Sequence, residues 1–164
     1  MTADILKRCF TPALILVLGF TVYHNSLPNP FVFDDLEFIV DNPDIRSLWP
    51  PDWARPNDLP HASLNGRPLT SLSLALNFAV GELEIRGYRL VNIAVHLAST
   101  LALFGLLKRL LRQDWARARF GALAAPYLAS AVALLWMVHP LQSECINYIS
   151  QRSESIMGFN YFMT

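Results

Sequence analysis

The chain has 164 residues, 53% hydrophobic and only 16% charged, with equal numbers of acidic and basic residues and no net charge. Soluble domains carry about 25% charged residues, and with no net charge and the basic residues gathered near expected helix ends, nothing points to nucleic acid. Zinc-type Cys/His spacing, a glycine-rich phosphate loop and a G-x-S-x-G elbow are all missing from the sequence, which removes the commonest soluble enzyme motifs. The charges are also clumped. No Asp, Glu, Lys or Arg falls between Arg8 and Asp34, between Arg89 and Lys108, or between Arg119 and Glu144. Crossing about 30 Å of hydrocarbon takes roughly 18–20 apolar residues, and a charge at mid-span costs about 2.5–3.5 kcal/mol. The expectation is an all-α membrane protein with three transmembrane helices and a truncated fourth.

The first span is expected over about 9–24, as an uncleaved helix with Pro12 in its first turn, where a missing N–H costs nothing. An outward loop, 25–87, follows and is too long for a connector. Its prolines, among them Pro43, Pro50, Pro51, Pro56, Pro60 and Pro68, cut it into short pieces. Asp35 to Val40 suits a helical turn stopped by Asn42-Pro43. Residues 68–80 read as a helix too short to span, lying at the interface or packed on the bundle and ended by Gly81, with Leu69, Leu72 and Leu76 on one face and Thr70, Ser73 and Asn77 on another. Trp49 and Trp53 suit an interfacial aromatic belt.

The second span, 88–107, carries Asn92, His96 and Ser99/Thr100 as one polar stripe, read as a packing seam between helices. Lys108, Arg109, Arg112, Arg117 and Arg119 then crowd a short loop, 108–119. With Lys7 and Arg8 they set that loop and the N-terminus on the cytoplasmic side. Cys9 and Cys145 then fall on opposite faces and cannot pair. The third span, 120–138, stops at His139-Pro140, which shapes a turn. The nine residues 156–164 reach only about 13 Å as helix, so they read as a fourth span cut short.

Asp34 and Asp35 sit between aromatics where the first span meets water. A carboxylate within reach of a hydroxyl is a competent general base, and two close carboxylates push one pKa upward. The pair can instead share a divalent cation, Mg²⁺ or Mn²⁺, though other ligands are few. It can also merely cap a short helix.

Several short motifs, taken in order, carry a resemblance. They are Phe33-Asp34-Asp35, Asn42-Pro43 with Ile45, Arg67-Pro68-Leu69-Thr70, Ala75-Leu76-Asn77, Val91-Asn92 with His96, His139-Pro140-Leu141-Gln142 with Glu144, and Tyr148-Ile149-Ser150 with Arg152-Ser153-Glu154. From about residue 28 to 160 the chain resembles the polytopic membrane proteins with tetratricopeptide repeats, a group that includes the transmembrane O-mannosyltransferases. Where relatives often have Asp, this chain has Glu154, and no tetratricopeptide repeat is present.

The resemblance implies the N-terminal part of a GT-C glycosyltransferase fold in a multi-pass protein of the bacterial inner membrane or the endoplasmic reticulum. It implies a polyprenyl-phosphate sugar donor and a protein or glycan acceptor. Asp34 or Asp35 would be the base, and Arg67, Glu144, Arg152 and Glu154 would contact substrate. Arginine binds phosphate bidentately; the alternative for Arg67 and Arg152 is an ion pair with Glu144 or Glu154. The alternative for the whole chain is a non-catalytic membrane scaffold.

Overall fold

The computed structural model describes residues 2–54, 67–121 and 124–164, with side chains from Phe10 onward. Pro56 and Pro60, and the side chains of Lys7, Arg8 and Cys9, lie outside the described residues. Among the described residues there is no strand. Seven helices run α1 (Thr2–Tyr23), α2 (Pro68–Gly81), α3 (Ile85–Leu110), α4 (Asp114–Phe120), α5 (Ala124–Met137), α6 (Gln142–Asn147) and α7 (Arg152–Met163).

α3 is the centre, packing most extensively on α7 and α5 and next on α1. Among the described residues it is the one helix long and apolar enough to cross a membrane by itself. It contains the expected span 88–107. The expected span 120–138 is built differently. α4 ends at Gly121, whose φ of 80° belongs to the left-handed region that glycine enters without strain. α5 begins only at Ala124 and has 14 residues, about 21 Å of helix. Pro12 lies inside α1 rather than in its first turn, so one backbone bond is missing there.

α1 and α5 run in the same direction. Thr11 Oγ1 lies 3.0 Å from Ser130 Oγ at one end, and Tyr23 donates to the Met137 carbonyl at 2.6 Å at the other. The seam is made of small residues: Gly19, Ala125, Ala129 and Ala133 are buried, with Ile15, Leu97 and Met137 filling between them. The α3 stripe is indeed a packing seam. His96 Nε2 lies 3.0 Å from the Met137 carbonyl, and the ring stacks on Trp136 and meets Tyr23 edge-on. Trp136 is half-buried between that ring and Phe162. The outer faces stay apolar, with Phe10, Val17 and Leu135 each more than 60% exposed.

A second, smaller core gathers Ile39, Ile45, Leu74, Ala75, Tyr88 and Ile149, with Phe31, Phe38 and Trp53 against it. Here the outward loop folds onto the start of α3. Leu36–Val40 form a π-helical turn. Asn42 ends it with its own side chain, donating to the Phe38 carbonyl at 3.0 Å and accepting from Asp44 N–H at 2.9 Å. Trp49 is 83% exposed. α2 lies against this core with an unexpected face inward. Thr70, Ser71, Leu74 and Ala75 are buried, while Leu69 and Leu76 are exposed. Beside that buried face the half-buried Ser73 and Asn77 turn toward a buried arginine.

Candidate functional site

The segment Tyr148–Glu154 is where the loop, α2, α3 and α6 converge. Its fixed point is Arg152, which is 0% exposed. Its Nε donates to Asn92 Oδ1 at 2.7 Å, Nη1 to Asn77 Oδ1 at 2.8 Å and to Ser73 Oγ at 3.2 Å, and Nη2 to the Tyr88 carbonyl at 2.9 Å. Four of the five guanidinium N–H groups are thus engaged. A buried cation costs little only when so satisfied. The sequence reading gives Arg152 either a lipid phosphate or an ion pair with Glu144 or Glu154; in the fold its partners are neutral groups of α2 and α3.

A second buried arginine, Arg89, staples the loop to α6. Its guanidinium donates to the carbonyls of Asn29, Pro30 and Asn147. Sequence reasoning passed over it, although an arginine just inside the start of an apolar span is itself a signal.

The two adjacent aspartates have different surroundings. Asp35 is 0% exposed. Its Oδ1 accepts the Ser150 N–H at 2.8 Å and its Oδ2 the Val32 N–H at 3.3 Å. Burial pushes the Asp35 carboxyl above its ordinary value, while the N–H groups of Ser150, Val32 and Ile149 and the charge of Arg89 pull it back. Burial, and not the neighbouring Asp34, drives the rise. Asp35 makes no cap to its own short helix; it joins two distant loops.

Asp34 is exposed, and its N–H donates to the Tyr148 hydroxyl at 3.2 Å. Phe33, just before it, has φ of 50°, a left-handed conformation rare for a bulky residue. The turn is closed by Asp35 N–H to the Val32 carbonyl at 3.0 Å and Leu36 N–H to the Phe33 carbonyl at 3.1 Å. The strained turn points the two carboxylates apart. One faces the interior and the other faces water. Asp35 has both oxygens aimed at N–H donors, and among the described residues no cluster of three His, Cys, Asp or Glu is placed to hold a metal ion.

Two open pockets flank Tyr148–Glu154. The first, about 300 Å³, lies beside Asp34 and is lined by Val32, Phe33, Ser143, Glu144, Asn147 and Tyr148. The second, about 330 Å³, has a polar end of Arg67, Ser153 and Glu154 and an apolar wall that includes Leu69, Ile156 and Met157. Arg67 donates to Ser153 Oγ at 2.8 Å and stands 3.9 Å from Glu154 Oε1. Both members of that pair are close to half exposed, so the pair is weak. Of the expected site residues, Arg67 and Glu154 are brought together at one pocket, and Asp34 and Glu144 adjoin the other. Asp35 and Arg152 hold the frame between them.

No family model matches the chain, and no solved structure does. Individual proteins match over most of its length. It is 32% identical to the protein O-mannosyl-transferase Tmtc3 of Drosophila melanogaster, over 85% of this chain and 17% of that protein. It is 30% identical to the protein O-mannosyl-transferase F38B6.6 of Caenorhabditis elegans, over 88% of this chain and 21% of the other. It is 29% identical to the protein O-mannosyl-transferase TMTC3 of Homo sapiens, over 86% and 15%. The chain spans about a sixth to a fifth of the length of these relatives. Along almost all of its own sequence it resembles the protein O-mannosyl-transferases, whose names make a protein the acceptor of their reaction.

Proposed function

We propose that this chain forms the acceptor-side rim of a multi-pass membrane glycosyltransferase that moves a sugar from a polyprenyl phosphate to a protein or glycan hydroxyl. The observation that carries the reading is the division of labour in the doublet: Asp35 is locked inside, and Asp34 is held exposed at the mouth of a pocket. In this reading Asp34 accepts the proton of the acceptor hydroxyl. The hydroxyl oxygen attacks the anomeric carbon, the bond from that carbon to the phosphate oxygen breaks, and the phosphate leaves with the electron pair.

Arg67 and Glu154 stand at the polar end of the second pocket, whose apolar wall suits a lipid chain. Arg67 meets the leaving phosphate there, where a guanidinium matches phosphate geometry. The exposed apolar faces of α1 and α5 suit lipid, with the N-terminus and Lys108–Arg119 on the cytoplasmic side and the doublet outward. The direct bonds of Asp34 to Tyr148 and of Ser150 to Asp35, with Arg89 bridging Asn29 and Pro30 to Asn147, support setting both segments on one side.

The test is Asp34→Asn in a full-length relative, since the chain alone is expected to turn over no donor. Transfer should fall about 10²–10⁴-fold, the usual worth of a general base, with expression and helicity unchanged. Full activity in that variant would remove Asp34 from the reaction and leave the membrane scaffold as the better account.

A further inference from the structure

We propose that the pocket beside Asp34 seats a basic side chain, lysine or arginine, of the polypeptide that presents the acceptor hydroxyl. The hydroxyl's fate rests on the transferase reading above; the seat for the cation does not. The pocket's lining contains a carboxylate, Glu144, and no Lys or Arg. Asp34 adds a second negative charge at the rim, tied to Tyr148 through its N–H. Asn147 is among the lining residues; its side-chain oxygen is itself closed off from solvent, with no hydrogen-bond partner. Arg89, the nearest described cation to Asn147, is committed to three carbonyls. The lining therefore carries negative charge and no cation to compensate it.

Its walls are aromatic. Phe33 is 82% exposed, and its ring meets Tyr148 at 6.2 Å between centroids with planes 74° apart. The ring stands out because its backbone is held at a positive φ, a conformation kept only where the surroundings over-determine it. Two ring surfaces beside carboxylates are the arrangement that attracts ammonium and guanidinium groups. A glycan would satisfy the oxygens but leave both charges uncompensated. A divalent metal ion would find no third His, Cys, Asp or Glu beside these two among the described residues. A basic side chain supplies donors, charge and an apolar stem together. It also brings the hydroxyl of a neighbouring Ser or Thr toward Asp34.

The test is direct binding of the purified chain in nanodiscs to fluorescent serine peptides carrying Arg, Gln or Glu beside the serine. Fluorescence anisotropy needs no sugar donor. The Arg peptide should bind on the order of tenfold tighter than the Gln peptide, the scale of one favourable charged contact. Glu144→Gln should bring the two affinities together, and Glu144→Lys should reverse the order in favour of the Glu peptide. Equal binding of the Arg and Gln peptides to the native chain, or a preference untouched by both variants, overturns the proposal. Charge-selective binding with no transfer by a full-length relative would leave this seat standing and sink the transferase reading. Transfer indifferent to basic neighbours would do the opposite.

Discussion

The seam of α1, α3 and α5 is held by shape, whereas the rim around Tyr148–Glu154 is held by direction. In the seam, alanines and a glycine let helices approach, dispersion over many small contacts does most of the rest, and hydrogen bonds of Thr11, Tyr23 and His96 pin it at a few points. At the rim, two buried arginines and a buried aspartate make at least nine hydrogen bonds, chiefly to backbone groups of other segments. Shape tolerates sliding by fractions of an ångström. Charge-assisted bonds to fixed carbonyls and N–H groups do not, because their strength falls steeply with misalignment. The loops that carry Asp34 and Arg67 are thus tied to the more exacting half of the molecule.

The sharpest way to break that contrast is Arg152→Ala. It strands Asn92, Asn77, Ser73 and the Tyr88 carbonyl without their donor, and each such group left buried and unsatisfied costs about 1–3 kcal/mol. Thermal melting in detergent reads this as loss of the cooperative transition or a large drop in Tm. Arg152→Lys should recover only part, since an ammonium cannot span three side chains and a carbonyl from one plane. A melting curve indistinguishable from native would mean that the rim is held by apolar packing after all.

The seam should respond less. A Cβ at Gly19 would sit 2.2 Å from Leu97 Cδ2 and 3.0 Å from Met137 Sδ. Gly19→Ala is therefore expected to cost about 1–3 kcal/mol through overpacking. Leu97→Ala in the same chain should return part of that cost by making room, and a double-mutant cycle measures the coupling. Additive effects would show that the contact is not limiting. Phe33→Asn tests the boundary between stability and use. Asn enters the left-handed region more readily, so stability should hold or rise by about 1 kcal/mol. Binding of the basic peptide should fall, because one of the two rings is gone.

These two halves differ in how far the sequence reveals them. The apolar gaps locate α3, and Pro68 with Gly81 brackets α2 within one residue, because caps and hydropathy are local properties. The polar stripe of Asn92 and His96 is legible as a seam for the same reason. What local pattern cannot show is the partner. The α2 face of Thr70, Ser73 and Asn77 looks like a solvent face until Arg152, 75 residues from Asn77 in sequence, is placed against it. Asp34 and Asp35 look equivalent as neighbours. Only the left-handed turn at Phe33 and the distant Ser150 N–H separate them. The helix break at Gly121 is missed because an apolar run through a glycine reads as continuous.

The smallest expected effect concerns Asp35 itself and the sign of its titration. Its folded pKa lies above the ordinary 3.8 because burial outweighs the N–H donors and Arg89. Below the ordinary value the carboxyl is protonated in both folded and unfolded chains, and its contribution to stability is complete. As pH climbs toward the raised value, the unfolded chain releases its proton first, so stability is lost across that window. Asp35→Asn cannot ionise and should lack this slope, with a constant offset from the mismatch of its NH₂ with an N–H donor. The difference between native and variant Tm, followed from pH 4 upward, isolates the group from every other carboxylate. A native chain that gains stability over the variant as pH rises would show the opposite balance. Ser150, Val32 and Arg89 would then stabilise the ionised form more than burial disfavours it, and the doublet's inner member would be a permanent anion.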